Sequence, residues 1–125
     1  MDGRTTEHLR RRDRAIRHEA QLAVLREQGD DLDAPREVDH FARFRSRLAR
    51  SRFRFWLMVN GYGVAFQKTD RADMPRYCIT FVKAHALDEG TLVTLTDSLD
   101  TKIASLNGVY EGWGCQPSPQ LIRQA

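Results

Sequence analysis

The apolar residues change their spacing several times along this chain, and these changes constrain the fold more than any other feature. Residues 36–44 alternate between two sets, which is the period of a strand with one buried face. Residues 45–60 switch to the 3.6-residue period of a helix, and Asn60-Gly61 marks its end. The strand is predicted to place Val38, His40, Ala42 and Phe44 on one face and Glu37, Asp39, Phe41 and Arg43 on the other.

Within the helix predicted at residues 45–60, one apolar stripe suggests the side that packs on the core. Leu48, Phe55 and Val59 recur at helical spacing, and we expect them to be buried. The opposite side of the helix is expected to be solvated because it carries three arginines, Arg47, Arg50 and Arg54.

The remaining elements follow from the same patterns. A leading helix is predicted over residues 5–28, its polar first part being the part open to disorder, and short strands over 64–68 and 77–83. Asp88 is a suitable N-cap for a further helix, and a final strand is predicted over residues 109–115. Two stripes are expected to face the core: Leu9, Ile16, Ala20, Ala23 and Val24 in the leading helix, broadened by Leu22 and Leu25, and Leu92, Leu95, Leu99, Ile103 and Leu106 in the last one.

This order of elements predicts an α+β fold of the ferredoxin-like, split β-α-β kind. A β-α-β-β-α-β antiparallel sheet would carry two helices on one face, preceded by an N-terminal helix. The first and third strands would be central, and the fourth would pair with the first. The other face of the sheet would be solvated, covered by the leading helix or used for binding. We expect residues 1–29 to form the N-terminal helix, 30–116 the domain and 117–125 a flexible tail.

The composition narrows the class of protein. The 125 residues suit one domain, and no stretch is apolar enough to span a membrane. Since no secretory signal is visible, we expect a cytoplasmic protein with Cys78 and Cys115 reduced. The excess of base lies in residues 1–60, where fourteen Arg face ten acidic residues. These arginines suit either a solvated helix face or an acidic or nucleic-acid partner.

No catalytic or metal-binding constellation stands out. The four histidines lack metal-ligand spacing, and there is no CxxC motif. Asp39 and His40 point to opposite faces of a strand and so cannot form a dyad, and His40 is expected to be a buried structural residue. We therefore expect the protein to have no enzymatic activity and to bind no cofactor and no metal.

The segment Gly108-Val-Tyr-Glu-Gly-Trp-Gly-Cys115 is the most distinctive motif. Glycine inside a strand is costly and usually marks a bulge or the close approach of another backbone. Either Trp113 fills the core, or a partner docks against it.

Four segments carry a resemblance to the RraB family, the regulators of ribonuclease E activity. They are 25–32, 35–41, 60–64 and above all the terminal Tyr110-Glu-Gly-Trp-Gly114, which is similar to that family's Tyr-Asp/Glu-Gly-Trp-Gly ending. The resemblance implies a non-catalytic protein that binds an endoribonuclease such as RNase E and inhibits it. The partner-binding surface is then expected to comprise these residues: Tyr110, Glu111, Gly112, Trp113, Gly114, Asp39 and His40.

Two other functions remain open from the residues alone. The arginine clusters could hold RNA phosphates, although the aromatic signature of an RNA-recognition motif is absent. The same fold could also serve as an immunity-type protein that blocks a toxin. Well-studied RraB proteins are acidic with an acid-rich tail, whereas this chain is slightly basic and its tail has no acid. Nothing in the sequence indicates the oligomeric state.

Overall fold

A computed structural model describes residues 3–115 of the chain, and it has the α+β architecture that the periodicities predict. Its three helices and four strands are α1 (Gly3–Glu27), β1 (Arg36–Phe44), α2 (Arg47–Val59), β2 (Gly63–Thr69), β3 (Tyr77–His85), α3 (Glu89–Ser105) and β4 (Val109–Cys115). The strands form one antiparallel sheet in the order β2-β3-β1-β4. As predicted, β1 and β3 are central and β4 pairs with β1. The tail predicted at 117–125 lies outside the described residues.

The described chain separates into two compact units. The first comprises residues 3–35 and 86–97, and the second comprises residues 36–85 and 98–115. The second unit contains the whole sheet, α2 and the last two turns of α3, and we call it the sheet unit. No helix in residues 3–115 has an apolar stretch long enough to cross a membrane.

The alternation predicted for β1 is confirmed. Val38, His40, Ala42 and Phe44 are at most 1% exposed, whereas Glu37, Asp39 and Phe41 are exposed. Strands β3 and β4 flank β1 and form hydrogen bonds with its backbone along both edges. Its inward side chains can then pack on α2 without leaving polar backbone groups unpaired.

Helix α2 begins and ends where the sequence indicates. The Ser46 hydroxyl accepts a hydrogen bond from the Ala49 amide at 3.1 Å and so caps the first turn. At the other end Gly61 has φ +80°, and the Tyr62 amide donates to the Leu57 carbonyl at 2.9 Å. This left-handed turn is open to glycine and stops the helix.

The prediction of which apolar stripe of α2 packs in the core is wrong. Phe53 and Leu57 are fully buried, and the Phe53 ring packs on Phe44 and Phe81 with centroids 5.1 and 5.2 Å away. The side chains expected to be buried, Leu48, Phe55 and Val59, are 61–69% exposed. The helix carries an apolar stripe on each side, and the one that contains Phe53 matches the aromatic face of the sheet.

The stripe predicted for α1 is confirmed at Leu22 and wrong at most other positions, where polar side chains are buried instead. In the first unit α1 buries Arg14, His18 and Leu22, spaced four residues apart. Arg14 forms an ion pair with Asp97, and His18 Nε2 lies 3.1 Å from the Thr96 hydroxyl. Three side chains of the predicted stripe are instead 45–61% exposed: Leu9, Ile16 and Val24.

Burial leaves a mark on His18. Desolvation, aided by the positive charges of Arg14 and Arg17, lowers the pKa of His18 to about 4 from its usual 6.5. The imidazole is therefore neutral at physiological pH in the folded protein. The stripe of α3 agrees better with prediction, since Leu92, Leu99 and Ile103 are at most 1% exposed.

Candidate functional site

A β-bulge in β4 decides which way the terminal motif points. Ala42 pairs with Tyr110 and Phe41 with Gly112, so Glu111 is an additional residue opposite β1. Tyr110 and Trp113, three residues apart, consequently both point to the inner face and are 5% and 6% exposed. The motif thus contributes its two aromatic side chains to the core of the sheet unit.

His40 lies at the centre of a buried polar network. Its Nδ1 is 2.8 Å from the Tyr110 hydroxyl, and its Nε2 is 3.0 Å from Nε2 of His85. The ring also stacks on Phe81, with centroids 5.5 Å apart. The three hydrogen-bonding side chains are at most 8% exposed, so they stabilise the interior. This agrees with the structural role expected for His40.

The outer side of the same two strands presents a different chemistry. Asp39 and Phe41 point outward from β1, and Phe41 is 38% exposed. We call this surface of β1 and β4 the open face, and it comprises Glu37, Asp39, Phe41, Glu111, Gly112 and Gly114. Its exposed charges are carboxylates, and within residues 3–115 neither Glu37 nor Asp39 forms an ion pair. The open face is therefore acidic around one exposed aromatic ring.

The two glycines lie directly across from the outward residues of β1. Gly112 opposes Phe41 and Gly114 opposes Asp39. Gly112 has φ +122°, a conformation that L side chains rarely adopt, so the bulge itself requires glycine there. Gly114 has no such requirement, because a Cβ at this position would lie 4.0 Å from the Phe41 ring in ordinary contact. Neither backbone strain nor internal packing explains the glycine at 114.

Arg43 holds the margin of the open face together. Its Nε donates to Glu111 at 3.0 Å, and its Nη1 donates to Asp70 in the β2–β3 loop at 2.9 Å. The hydrogen bond from Arg43 lowers the pKa of Asp70, and the same bond raises the pKa of Arg43 above its usual value. One guanidinium thus joins β1, β4 and the β2–β3 loop in a fixed arrangement.

No feature of this surface suggests a metal or a cofactor. Within residues 3–115 there is no group of three or more His, Cys, Asp or Glu side chains arranged to hold a metal ion. Cys78 and Cys115 are free thiols, as expected from the sequence. What the open face offers is shape, charge and an aromatic ring, which are the means of binding a macromolecule.

Residues 16–115 match the protein family described as regulator of ribonuclease activity B. The chain belongs to the RraB family. The match covers all of the sheet and the second half of α1, so it confirms the resemblance carried by the terminal motif. A comparison with curated proteins finds no match for the chain.

The predicted partner-binding residues divide into two groups in this RraB protein. The side chains of Tyr110, Trp113 and His40 are internal, whereas Asp39, Glu111 and the two glycines form part of the open face. Sequence reasoning did not include Phe41, Glu37 or Arg43 in the site. The signal was present, because the alternation of residues 36–44 already placed all three on the outer face with Asp39.

Proposed function

We propose that this RraB protein is a non-catalytic regulator that binds an endoribonuclease such as RNase E in the cytoplasm and inhibits RNA cleavage. Its scaffold is the ferredoxin-like α+β fold, and its docking surface is the open face. The observation that carries the proposal is the family match together with an acidic surface that is centred on Phe41 of β1 and bordered by the family's terminal motif in β4.

The charge of the open face supports a ribonuclease as the partner. Ribonucleases hold RNA phosphates with Lys and Arg side chains. Exposed carboxylates at Glu37 and Asp39, with no ion pair inside the described chain, complement such a basic surface. A regulator bound in this way would compete with RNA for the same cations, which accounts for inhibition without any chemistry of its own.

The glycine at position 114 supports contact through this edge of the sheet. Glycine in a strand often allows the close approach of another backbone. Because Gly114 is not required by φ or by internal packing, its lack of a side chain is best explained by a partner that lies against β4 and Phe41.

The test is a calorimetric titration of the full chain with the RNase E of the same organism, alongside an RNA-cleavage assay and a titration with a structured RNA. We expect binding to the ribonuclease and inhibition of cleavage. Asp39→Lys should weaken binding by about tenfold or more. Truncation or reversal of an interface charge commonly reduces the binding free energy by more than about 1.4 kcal/mol.

Asp33→Lys is the matched control, because Asp33 is also an exposed aspartate and lies outside the open face. It should leave the affinity unchanged. Equal loss in both variants would show that net charge, rather than the open face, governs binding. Absence of binding to the ribonuclease, with tight binding to the RNA, would overturn the regulatory function.

A further inference from the structure

Helix α2 has a second apolar stripe that the sheet does not use. Phe53 and Leu57 pack inward, whereas Phe55 and Val59 are each 69% exposed and Leu48 is 61% exposed. Their spacing of seven and four residues places Leu48, Phe55 and Val59 in one row along the outer side of the helix. A helix that is apolar on both sides normally has a neighbour on both sides.

Two residues of this stripe, Phe55 and Val59, lie in one wall of a groove within the sheet unit. The other wall is the end of α3, and the groove has a volume of about 650 Å³. We call it the outer groove, and the residues that define it are Arg52, Phe55, Trp56, Val59, Lys102 and Leu106. Its apolar lining suits the side chains of a helix laid along α2.

The two charged side chains that line the outer groove, Arg52 and Lys102, are both cationic. Helix α2 contains four arginines and no acidic residue, and Lys102 adds a cation on the α3 side. Arg50 is engaged inside the sheet unit, donating to the Lys68 carbonyl at 3.0 Å. Within the described residues, by contrast, neither Arg52 nor Lys102 forms an ion pair, so both remain available to carboxylates.

We propose that the outer groove binds an acidic amphipathic helix of a protein partner. Apolar side chains of that helix would fill the groove between Phe55, Val59 and Leu106. Carboxylates on its flanks would pair with Arg52 and Lys102. The proposal is independent of the open face, which has the opposite charge and lies on other elements of the sheet unit.

A second copy of this chain is a poor occupant. Two copies that met by a twofold axis through α2 would bring the same arginines together, and like charges at an interface are unfavourable. RNA is also a poor occupant, because single-stranded nucleic acids rely on free aromatic faces for stacking. Of the two aromatic residues that line the groove, Trp56 is already stacked on Phe53 and Tyr62, with centroids 5.7 and 6.0 Å away, and only Phe55 is left to stack on a base.

The test uses the full chain and two synthetic amphipathic helices as probes. Both carry leucines at i, i+4 and i+7; one has glutamate and the other lysine at the flanking positions. Fluorescence anisotropy measures the affinity for each labelled probe. We expect the glutamate peptide to bind about tenfold or more tightly than the lysine peptide, as two exposed charge pairs gained or lost can supply.

Two variants locate the site. Arg52→Glu combined with Lys102→Glu should reverse the preference between the peptides, and Phe55→Ser should abolish binding of both. The matched controls are Arg71→Glu and Phe66→Ser, which alter an exposed arginine and a 58% exposed phenylalanine outside the groove. These controls should bind as the parent does.

Three outcomes would overturn the proposal. One is equal affinity for the two peptides. A second is binding of a single-stranded RNA or an anionic vesicle, lost in the Arg52→Glu, Lys102→Glu variant, without binding of the glutamate peptide. The third is self-association in sedimentation that Phe55→Ser removes, since a second copy would then be the occupant.

Discussion

The hydroxyl of Tyr110 lies 2.8 Å from Nδ1 of His40, in the interior of the sheet unit. Both residues belong to the set that the family resemblance implicated in partner binding, yet they hold each other inside the protein. The pair ties β4 to the centre of β1, on the inner side of the strands that carry the open face. The position of the outer surface therefore depends on a polar contact beneath it.

Tyr110→Phe should destabilise the fold by between about 1 and 3 kcal/mol, because it removes a hydrogen-bond partner from a buried imidazole. Urea unfolding of the parent and the variant measures this loss. Tyr77→Phe is the matched control, since Tyr77 is half-exposed and its hydroxyl has no hydrogen bond within residues 3–115. A Tyr110→Phe variant as stable as Tyr77→Phe would show that the contact contributes little.

His18 should make the stability fall in acid. Its folded pKa is about 4 against 6.5 when unfolded, so between these values the unfolded chain binds a proton that the folded chain excludes. The contribution of His18 to the free energy of unfolding is therefore constant above about pH 6.5. It decreases as the pH falls toward 4, by up to about 3 kcal/mol. Unfolding free energies at about pH 7 and about pH 4.5 test this sign.

The comparison for His18 is His18→Gln, which cannot titrate. Its loss of stability between the two pH values should be smaller than that of the parent, because the remaining carboxyl groups are common to both. An identical pH dependence in the two proteins would contradict the burial of a neutral imidazole at this position.

Gly112 and Gly114 should respond differently to alanine. Gly112→Ala places a side chain at φ +122° and should cost about 1–3 kcal/mol of folding free energy. Gly114→Ala meets only an ordinary contact with Phe41 and should change stability by less than about 0.5 kcal/mol. Thermal or urea unfolding of the two variants measures the difference. A large loss in Gly114→Ala would mean that internal structure, rather than a partner, requires this glycine.

The two apolar stripes of α2 can be separated by truncation. Leu57→Ala should cost about 2–5 kcal/mol, because it opens a cavity under a fully buried side chain. Val59→Ala, two residues further on and 69% exposed, should change stability by less than about 0.5 kcal/mol. Equal costs in urea unfolding would show that the outer stripe also contributes to the core.

Comparison of these elements shows what periodicity could predict and why. In β1 the two faces differ sharply in polarity, so the alternation alone identified both faces and predicted the buried His40. In α2 both faces are apolar, and only the aromatic partners Phe44 and Phe81 determine which one is buried. Those partners lie on strands, beyond the reach of a local pattern.

Helix α1 shows that a local pattern also fails to predict which polar side chains are buried. Arg14 and His18 are buried because Asp97 and Thr96, about eighty positions away in the chain, supply an ion pair and a hydrogen bond. A rule that places apolar residues inside selects Ile16 and Val24 instead. The site was predictable only in part for a related reason. The motif is visible in the sequence, but the bulge is not, and without the bulge the alternation of a strand does not show which side chains of the motif face outward.

The bulge at Glu111 shifts the alternation of side chains in β4 by one residue. Without the bulge, the strict alternation of a strand would place Tyr110 and Trp113, which are three residues apart, on opposite faces of the sheet. Deletion of Glu111 alone would remove the extra residue, and Gly112 and Trp113 would keep their pairing with Phe41 and His40. The bulge thus brings two aromatic side chains at an odd spacing into one core, and the Tyr-Glu-Gly-Trp-Gly segment carries one residue more than its pairing with β1 requires.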